Sequence, residues 1–301
     1  MILQQNSRHF IKALNSSFHT RYFFNMPSPP NPYAGLNVSW PFPDFRKSQK
    51  YWRIKSQITI FLVGVAGKTL LTVFNRAKVH NKEVLVDAVF KRPSGVPLIT
   101  VANHESCMDD PALIGLALSP MQLMDQKKMR WSLAAHDICF TKPLHASFFS
   151  LGKCVPIVRG MGVYQKPVDF AIERLNEFGD WFHIFPEGKV NTEREKLYRF
   201  KWGIGRIISE LKTTPIVIPF YHTGMPDVLP NQRPYIPRYG NKVFMNVGEP
   251  LNIQPVLDSI THFSPRDKRK VITDFIQLEM EKLRHVTLKL SQEYHSGTLN
   301  V

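Results

Sequence analysis

The residues best suited to chemistry lie in three short segments, and the first is PLITVANHESCMDDPAL, Pro97 to Leu113. It opens on an apolar run that reads as a buried strand, and it closes on Asp109, Asp110 and Pro111, which suit a helix start. Between them stand Asn103, His104, Glu105, Ser106, Cys107 and Met108. A base working near neutral pH needs an ordinary pKa in that range and a partner that selects its tautomer, which a histidine with a carboxylate on its second nitrogen supplies. His104 and Asp109, five residues apart, can be such a pair. With eleven histidines in the chain, that spacing alone is common by chance. The plain alternative is a hydrogen-bonded loop histidine followed by two capping aspartates. Only one aspartate can orient the base, so the helix cap is assigned to Asp110, which directly precedes Pro111. Ser106 and Cys107 raise a covalent route, but the chain has no G-x-S-x-G elbow and a packed thiol is the simpler reading of Cys107.

The second segment is LGKCVPIVRG, Leu151 to Gly160, a strand that ends near Arg159. A guanidinium there suits phosphate because its planar fork donates two bonds at once. Taken alone, Arg159 reads as a surface residue. The third is WFHIFPEGKVN, Trp181 to Asn191: a strand, then a sharp turn at Pro186, Glu187 and Gly188, then the cation of Lys189. Gly188 lets a ligand approach the backbone closely, although an ordinary turn with a surface lysine fits the same residues. His80, His136, His145, His183 and His222 are left as structural or surface residues.

Elements of alternating type must hold these segments. Short apolar runs near 97–102, 130–135, 153–158, 181–185, 215–221 and 242–248 read as strands. Helical patterns fall near 80–91, 111–118, 143–150, 166–177 and 201–211, with a long last helix over about 266–294. This alternation predicts a single α/β domain, a largely parallel or mixed sheet with helices on both faces. In such sheets ligands gather past the carboxyl ends of the strands, where His104, Arg159 and the 186–189 turn all fall. The domain is expected over 80–295, preceded by a membrane-associated segment at 40–79 and an extension at 1–39, and followed by a tail at 296–301.

The chain has 301 residues, 43% of them apolar and 21% charged, which excludes a disordered protein. Its formal charge of +15 favours partners that present phosphate, either nucleic acid, an anionic membrane or a phosphorylated substrate. No nucleic-acid partner is expected, since neither a basic–aromatic reader motif nor zinc-ligand spacing is present. The cysteines, Cys107, Cys139 and Cys154, have no spacing for a metal or a disulfide framework. No acidic residue precedes Asp44, while Arg8, Lys12 and Arg21 are spaced among Phe10, Ile11, Leu14, Phe18 and Phe23, a composition like that of a mitochondrial targeting segment. Prolines 27, 29, 30 and 32 then mark a linker.

Ile58 to Phe74 is apolar nearly throughout but carries Gly64, Gly67 and Lys68. Since a spanning helix needs roughly 20 apolar residues, an interfacial or re-entrant segment fits better than a crossing. Arg46, Lys47, Lys50, Arg53 and Lys55 would meet lipid phosphate, with Trp40 and Trp52 at headgroup depth. A second candidate for attachment is the Trp202–Leu211 helix continuing into Pro215–Phe220.

In order, His-x-x-x-x-Asp, a strand followed by arginine, Phe-Pro-Glu-Gly and the proline-flanked strand PIVIP at Pro215 to Pro219 resemble the four-motif pattern of the glycerolipid acyltransferase superfamily. NHESCMDDP, DICFTK, FFSLGKCVP, FHIFPEGKVN, RFKWGIGR and WPFP are similar to its branch of mitochondrial phospholipid–lysophospholipid transacylases. The resemblance runs from about Trp40 to the last helix. It implies a glycerol-phosphate acyltransferase-like fold and CoA-independent transfer of acyl chains between phospholipids and lysophospholipids, among them cardiolipin and monolysocardiolipin. It also implies no cofactor and no metal, and attachment to mitochondrial inner and outer membranes facing the intermembrane space. His104 would be the base oriented by Asp109, with Arg159, Glu187, Gly188, Lys189 and Asn191 binding substrate. Where the wider superfamily has Thr-Arg-Ser after Phe-Pro-Glu-Gly, this chain has Lys189, Val190 and Asn191, as that branch does. A CoA-dependent lysophospholipid acyltransferase with the same dyad is the alternative, and a non-catalytic basic membrane scaffold is the alternative of another class.

Overall fold

In chain order the elements are α1 (Lys50–Thr72), β1 (Arg76–His80), α2 (Lys82–Phe90), β2 (Leu98–Ala102), α3 (Asp109–Ala117), α4 (Pro120–Leu123) and β3 (Trp131–Ala135). Then follow α5 (His136–Cys139), α6 (Pro143–Leu151), β4 (Cys154–Ile157), α7 (Lys166–Phe178), β5 (Trp181–Ile184) and α8 (Gly203–Ser209). The chain continues through β6 (Ile216–Thr223), α9 (Met225–Val228), β7 (Lys242–Val247), α10 (Gln254–Ser259) and α11 (Pro265–Ser296). This computed structural model describes residues 40–45 and 47–298, so the targeting segment and linker expected within 1–39, and Arg46, lie outside the described residues.

The strands form one sheet in the order β1-β7-β6-β2-β5-β3-β4. β2 lies between β5 and β6 and is parallel to both, and β3 and β4 extend the parallel part. β7 runs antiparallel to β6, and β1 pairs parallel with β7. The expected mixed α/β sheet is present. The strand Arg76–His80, in a stretch expected to be membrane-associated, is an addition to it.

β2 is buried on both faces, as the apolar run Leu98–Ala102 requires. Ile99 and Val101 pack on one side with Phe182, Val217 and the apolar stripe of α11. Leu98 and Ala102 pack on the other with α1, α2 and α3. Alternate residues of one strand thus feed two cores.

α1 presents Ser56, Ile60, Gly64, Gly67 and Leu71 inward, a stripe of one residue per turn. Its glycines mark backbone-to-backbone contact with α3. A Cβ on Gly115 would lie 2.2 Å from Gly64 O, and one on Gly67 would lie 2.7 Å from Ala112 Cα. Lys68 crosses to α3, where Nζ donates to Leu116 O at 2.9 Å and Leu118 O at 3.1 Å. It satisfies carbonyls left open at that helix's carboxyl end. The outward face carries exposed Ile54, Ile58 and Leu62.

Trp40 and Trp52, expected at headgroup depth, instead join an inward aromatic cluster. Trp52 stacks on Trp131 with centroids 6.1 Å apart, and Trp40 meets Phe42 at 5.4 Å and Phe170 at 5.5 Å. The physical reason is the turn at Trp40–Phe45, which folds back against Trp131 and Phe170 and buries large rings that water would otherwise hydrate.

Candidate active site

β2 ends at Ala102, and the chain turns through His104 before α3 begins. Its backbone is held by the segment after β5: His104 N donates to Glu187 Oε1 at 3.0 Å, and Asn191 N donates to His104 O at 2.6 Å. Glu187 Oε2 accepts from Tyr198 N at 2.9 Å and from Asn191 Nδ2 at 2.7 Å. Glu187 is 1% exposed, and burial pushes its carboxyl above the usual range against the three donors. Glu187 is therefore a brace behind the histidine.

Asn191, expected among the substrate-binding residues, is a brace as well: buried, off the cavity wall, its amide divided between Glu187 and Lys196 O. Gly188 stands at φ 73°, where a side chain would strain, and a Cβ would come 3.1 Å from Lys201 Cγ. Its N–H donates to Phe185 O and so is not turned to a developing oxyanion.

His104 Nδ1 lies 3.0 Å from Asp109 Oδ2, and the ring stacks on Phe185 at 4.1 Å. The same Oδ2 accepts from Glu105 N at 2.7 Å and Ser106 N at 2.8 Å. Burial drives the fully enclosed Asp109 carboxyl up, but His222 and His104 outweigh it, so it is held well below the usual carboxylate range. An ionised Asp109 requires the hydrogen on Nδ1, which leaves Nε2 of a neutral His104 with a free lone pair.

Asp110 is not the helix cap. The cap position of α3 is Met108, with no side-chain bond, and Asp110 is the second residue of the first turn. Its oxygens accept from Arg130 Nε at 2.7 Å and Ser132 Oγ at 2.9 Å. Arg130 arrives from β3's leading end, and a buried guanidinium outbids a backbone N–H for the carboxylate.

His104 opens on a cavity of about 1070 Å³. Its walls are mostly apolar, with Ile60 and Val63 of α1, Ile138, Phe148, Ile157, Phe185 and Ile204. Arg159, Lys189 and Lys201 add cations. Arg159 lies just past β4 as expected, ion-paired with Asp137, and Lys189 Nζ sits 4.4 Å over the Tyr198 ring. Lys201 was not singled out by sequence, although its motif RFKWGIGR was; its backbone N donates to Pro186 O at 2.7 Å, which brings it to the wall. All three cysteines line the cavity. Burial pushes Cys107 up, Cys139 to about 12 and Cys154 to about 11, which disfavours a thiolate nucleophile.

His183 and His222 both read from the sequence as structural or surface residues. His183 is packed as expected, fully buried with Nδ1 2.9 Å from Thr100 Oγ1. His222 is not remote: its Nε2 lies 3.5 Å from Asp109 Oδ2.

The histidine–aspartate pair stands beside a largely apolar cavity, and the family model described as Acyltransferase matches residues 76–223, from the start of β1 to the end of β6. The chain is an acyltransferase. It is 46% identical over 260 residues to tafazzin of Drosophila melanogaster, covering 85% of this chain and 68% of that one, and it belongs to the tafazzin family. It is also 38% identical to the N-acylphosphatidylethanolamine synthase of Arabidopsis thaliana, over 81% of this chain and 90% of that one. In fold it is similar to the 1-acyl-sn-glycerophosphate acyltransferase PlsC of Thermotoga maritima, with TM-score 0.52 and 21% identity over 79% of this chain and 83% of that one.

Proposed function

We propose that this enzyme exchanges acyl chains between a phospholipid and a lysophospholipid without CoA, with cardiolipin and monolysocardiolipin among its substrates. His104 Nε2 takes the proton from the free glycerol hydroxyl of the lysolipid, and Asp109 stabilises the imidazolium. The alkoxide attacks the ester carbonyl of the donor, the tetrahedral intermediate expels the donor's glycerol oxygen, and His104 returns the proton to it. One ester forms as one breaks, so the reaction is close to thermoneutral, runs both ways and needs no cofactor. Arg159, Lys189 and Lys201 bind headgroup phosphate, while the apolar walls hold the chain.

The observation that carries this reading is the 3.0 Å His104–Asp109 contact, with His104 on the wall of a cavity large enough for an acyl chain. His104→Ala should lower the rate by about 10²- to 10⁴-fold while vesicle binding stays unchanged. Near-normal transfer by that variant would sink the assignment of the base.

The acyl source is tested separately, by mixing pure enzyme with labelled phosphatidylcholine and monolysocardiolipin. Transfer without CoA supports the reading. A strict need for acyl-CoA would make this a CoA-dependent acyltransferase, and an N-acylated phosphatidylethanolamine product, as in the Arabidopsis relative's name, would move the acceptor from hydroxyl to amine.

The same reading seats the enzyme on the mitochondrial inner and outer membranes, facing the intermembrane space and attached from one side. α1 is long and apolar enough to cross a bilayer by length and composition. Its packed inner face and open outer face favour lying against one leaflet.

A further inference from the structure

Between α9 and β7 the chain forms a loop, Leu229 to Asn241, with a fixed neck. Arg238 N donates to Val228 O at 2.7 Å and closes the loop on itself. Ser106 Oγ donates to Leu229 O at 3.0 Å, which ties the neck to the turn that carries His104. Buried Asn75, just past α1, donates from Nδ2 to Arg238 O at 3.1 Å. Gly240 N donates to Phe74 O at 2.8 Å. The neck therefore joins the catalytic turn to the carboxyl end of α1. Even so, every residue from Asn231 to Gly240 is exposed.

That tip has the wrong composition for water alone. Tyr235, Ile236 and Tyr239 are 53%, 63% and 83% exposed. Surface turns are ordinarily built from Gly, Asn, Asp and Ser, and a cluster of large exposed apolar groups marks an interaction site. Arg233 and Arg238 stand among them, and 229–241 holds no Asp or Glu. Among the described residues neither guanidinium is ion-paired. Tyrosine and arginine each join an apolar body to a polar tip, which suits them to headgroup depth. Pro234 and Pro237 add apolar surface and carry no N–H that would have to be stripped of water.

The loop adjoins the open face of α1. Ile54, Ile58, Leu62, Ala66, Thr69 and Val73 are exposed along one side of the helix, which has 23 residues and so spans about 35 Å. Exposed Phe74 carries that face on to the loop. A surface both basic and apolar calls for an occupant with negative charge over apolar depth, as an anionic bilayer has. A second copy of a chain with formal charge +15 would bring like charge, and so would residues 1–39, which contain no acidic residue.

We infer that the Asn231–Gly240 loop binds the membrane and, with Val73 and Phe74, holds the catalytic edge of the sheet against an anionic leaflet. The inference rests on α1 lying against one leaflet. Tyr235, Ile236 and Tyr239 enter to headgroup depth, and the two guanidiniums pair with lipid phosphate. A helix alone can roll about its own axis on a surface, and a second contact on another element fixes that roll. Through the neck, the fixed orientation reaches Ser106, two residues from His104.

Sedimentation of the full protein with vesicles of phosphatidylcholine and cardiolipin tests this. Tyr235→Ser/Ile236→Ser/Tyr239→Ser should unfold at the unaltered temperature, since these side chains face solvent, and should bind about tenfold more weakly. Arg233→Gln/Arg238→Gln should also lose about tenfold at low salt. Raising the salt should erase the arginine deficit and leave the serine deficit in place. Normal binding by the folded serine variant overturns the inference. So does a lipid-independent dimer of the unaltered protein that the serine variant abolishes, which would assign the loop to a second copy. If the variant does not fold, the unaltered protein decides. Trypsin cleavage after Arg238 should slow severalfold on vesicles containing cardiolipin, and cleavage there at the lipid-free rate overturns the inference. Failure of the α1 reading is distinguishable, because Ile54→Ser/Ile58→Ser/Leu62→Ser would then bind normally whatever the loop variants do.

Discussion

Asp109 and Asp110 are adjacent in sequence and carry out unrelated tasks. Asp109 collects His104, His222 and two backbone N–H groups, whereas Asp110 neutralises Arg130, with side-chain exposures of 12% and 8% in that pair. Removing one partner of a buried ion pair strands the other charge. Asp110→Asn should therefore destabilise the protein by about 3 kcal/mol in denaturant unfolding. The fraction that remains folded should transfer acyl chains at close to the normal rate. A stable Asp110→Asn enzyme without activity would show that the roles of the two aspartates have been exchanged.

At the scale of elements, the crossing of α1 on α3 sets one wall of the cavity. It depends on two glycines in α1 and one in α3, because the helices touch backbone to backbone. Gly115→Ala places a methyl group 2.2 Å from Gly64 O, a contact that only movement of a whole helix can relieve. A cost of about 1–3 kcal/mol is expected, as for other overpacked sites. Activity should fall with it, since Ile60, Val63 and Gly64 of α1 face the cavity. Thermal unfolding together with transfer assays checks both. If neither changed, the close crossing would not govern the cavity's shape. Lys68 belongs to the same joint, its ammonium capping α3 from within a largely apolar helix.

Over the whole molecule, a formal charge of +15 and an open apolar stripe on α1 suit an anionic bilayer surface. Ile54, Ile58 and Leu62 are 45%, 53% and 59% exposed and recur every fourth residue. Exposed Leu144 and Phe148 lie on α6, which packs against α1. Replacing the three α1 residues by serine should leave unfolding unchanged, since they touch solvent. It should weaken sedimentation with cardiolipin-containing vesicles by about tenfold or more. Undiminished binding would move attachment to another surface.

Much of this enzyme is legible along the chain because its signals are local. Apolar runs bounded by turn residues located β2 to β7, and His104, Asp109 and the Phe-Pro-Glu-Gly turn lie within a few residues of strand ends. What escaped is set by partners distant in sequence. Asn103 donates to His222 O across 119 residues, and Arg130 donates to Asp110 across 20, so no local pattern joins them. Strand β1 is short and partly polar, and only its pairing with β7 makes it a strand. The glycines of α1 read as weak points in an isolated helix, but against α3 they are the contact itself. The sequence by itself determined an α/β domain with a histidine–aspartate pair at a strand end, because local periodicity and spacing carry that information, and its resemblance to glycerolipid acyltransferases implied the activity. Tertiary structure alone decided which oxygen each donor reaches, which face of α1 stays open, and that a second histidine shares Asp109, because burial and charge act through space.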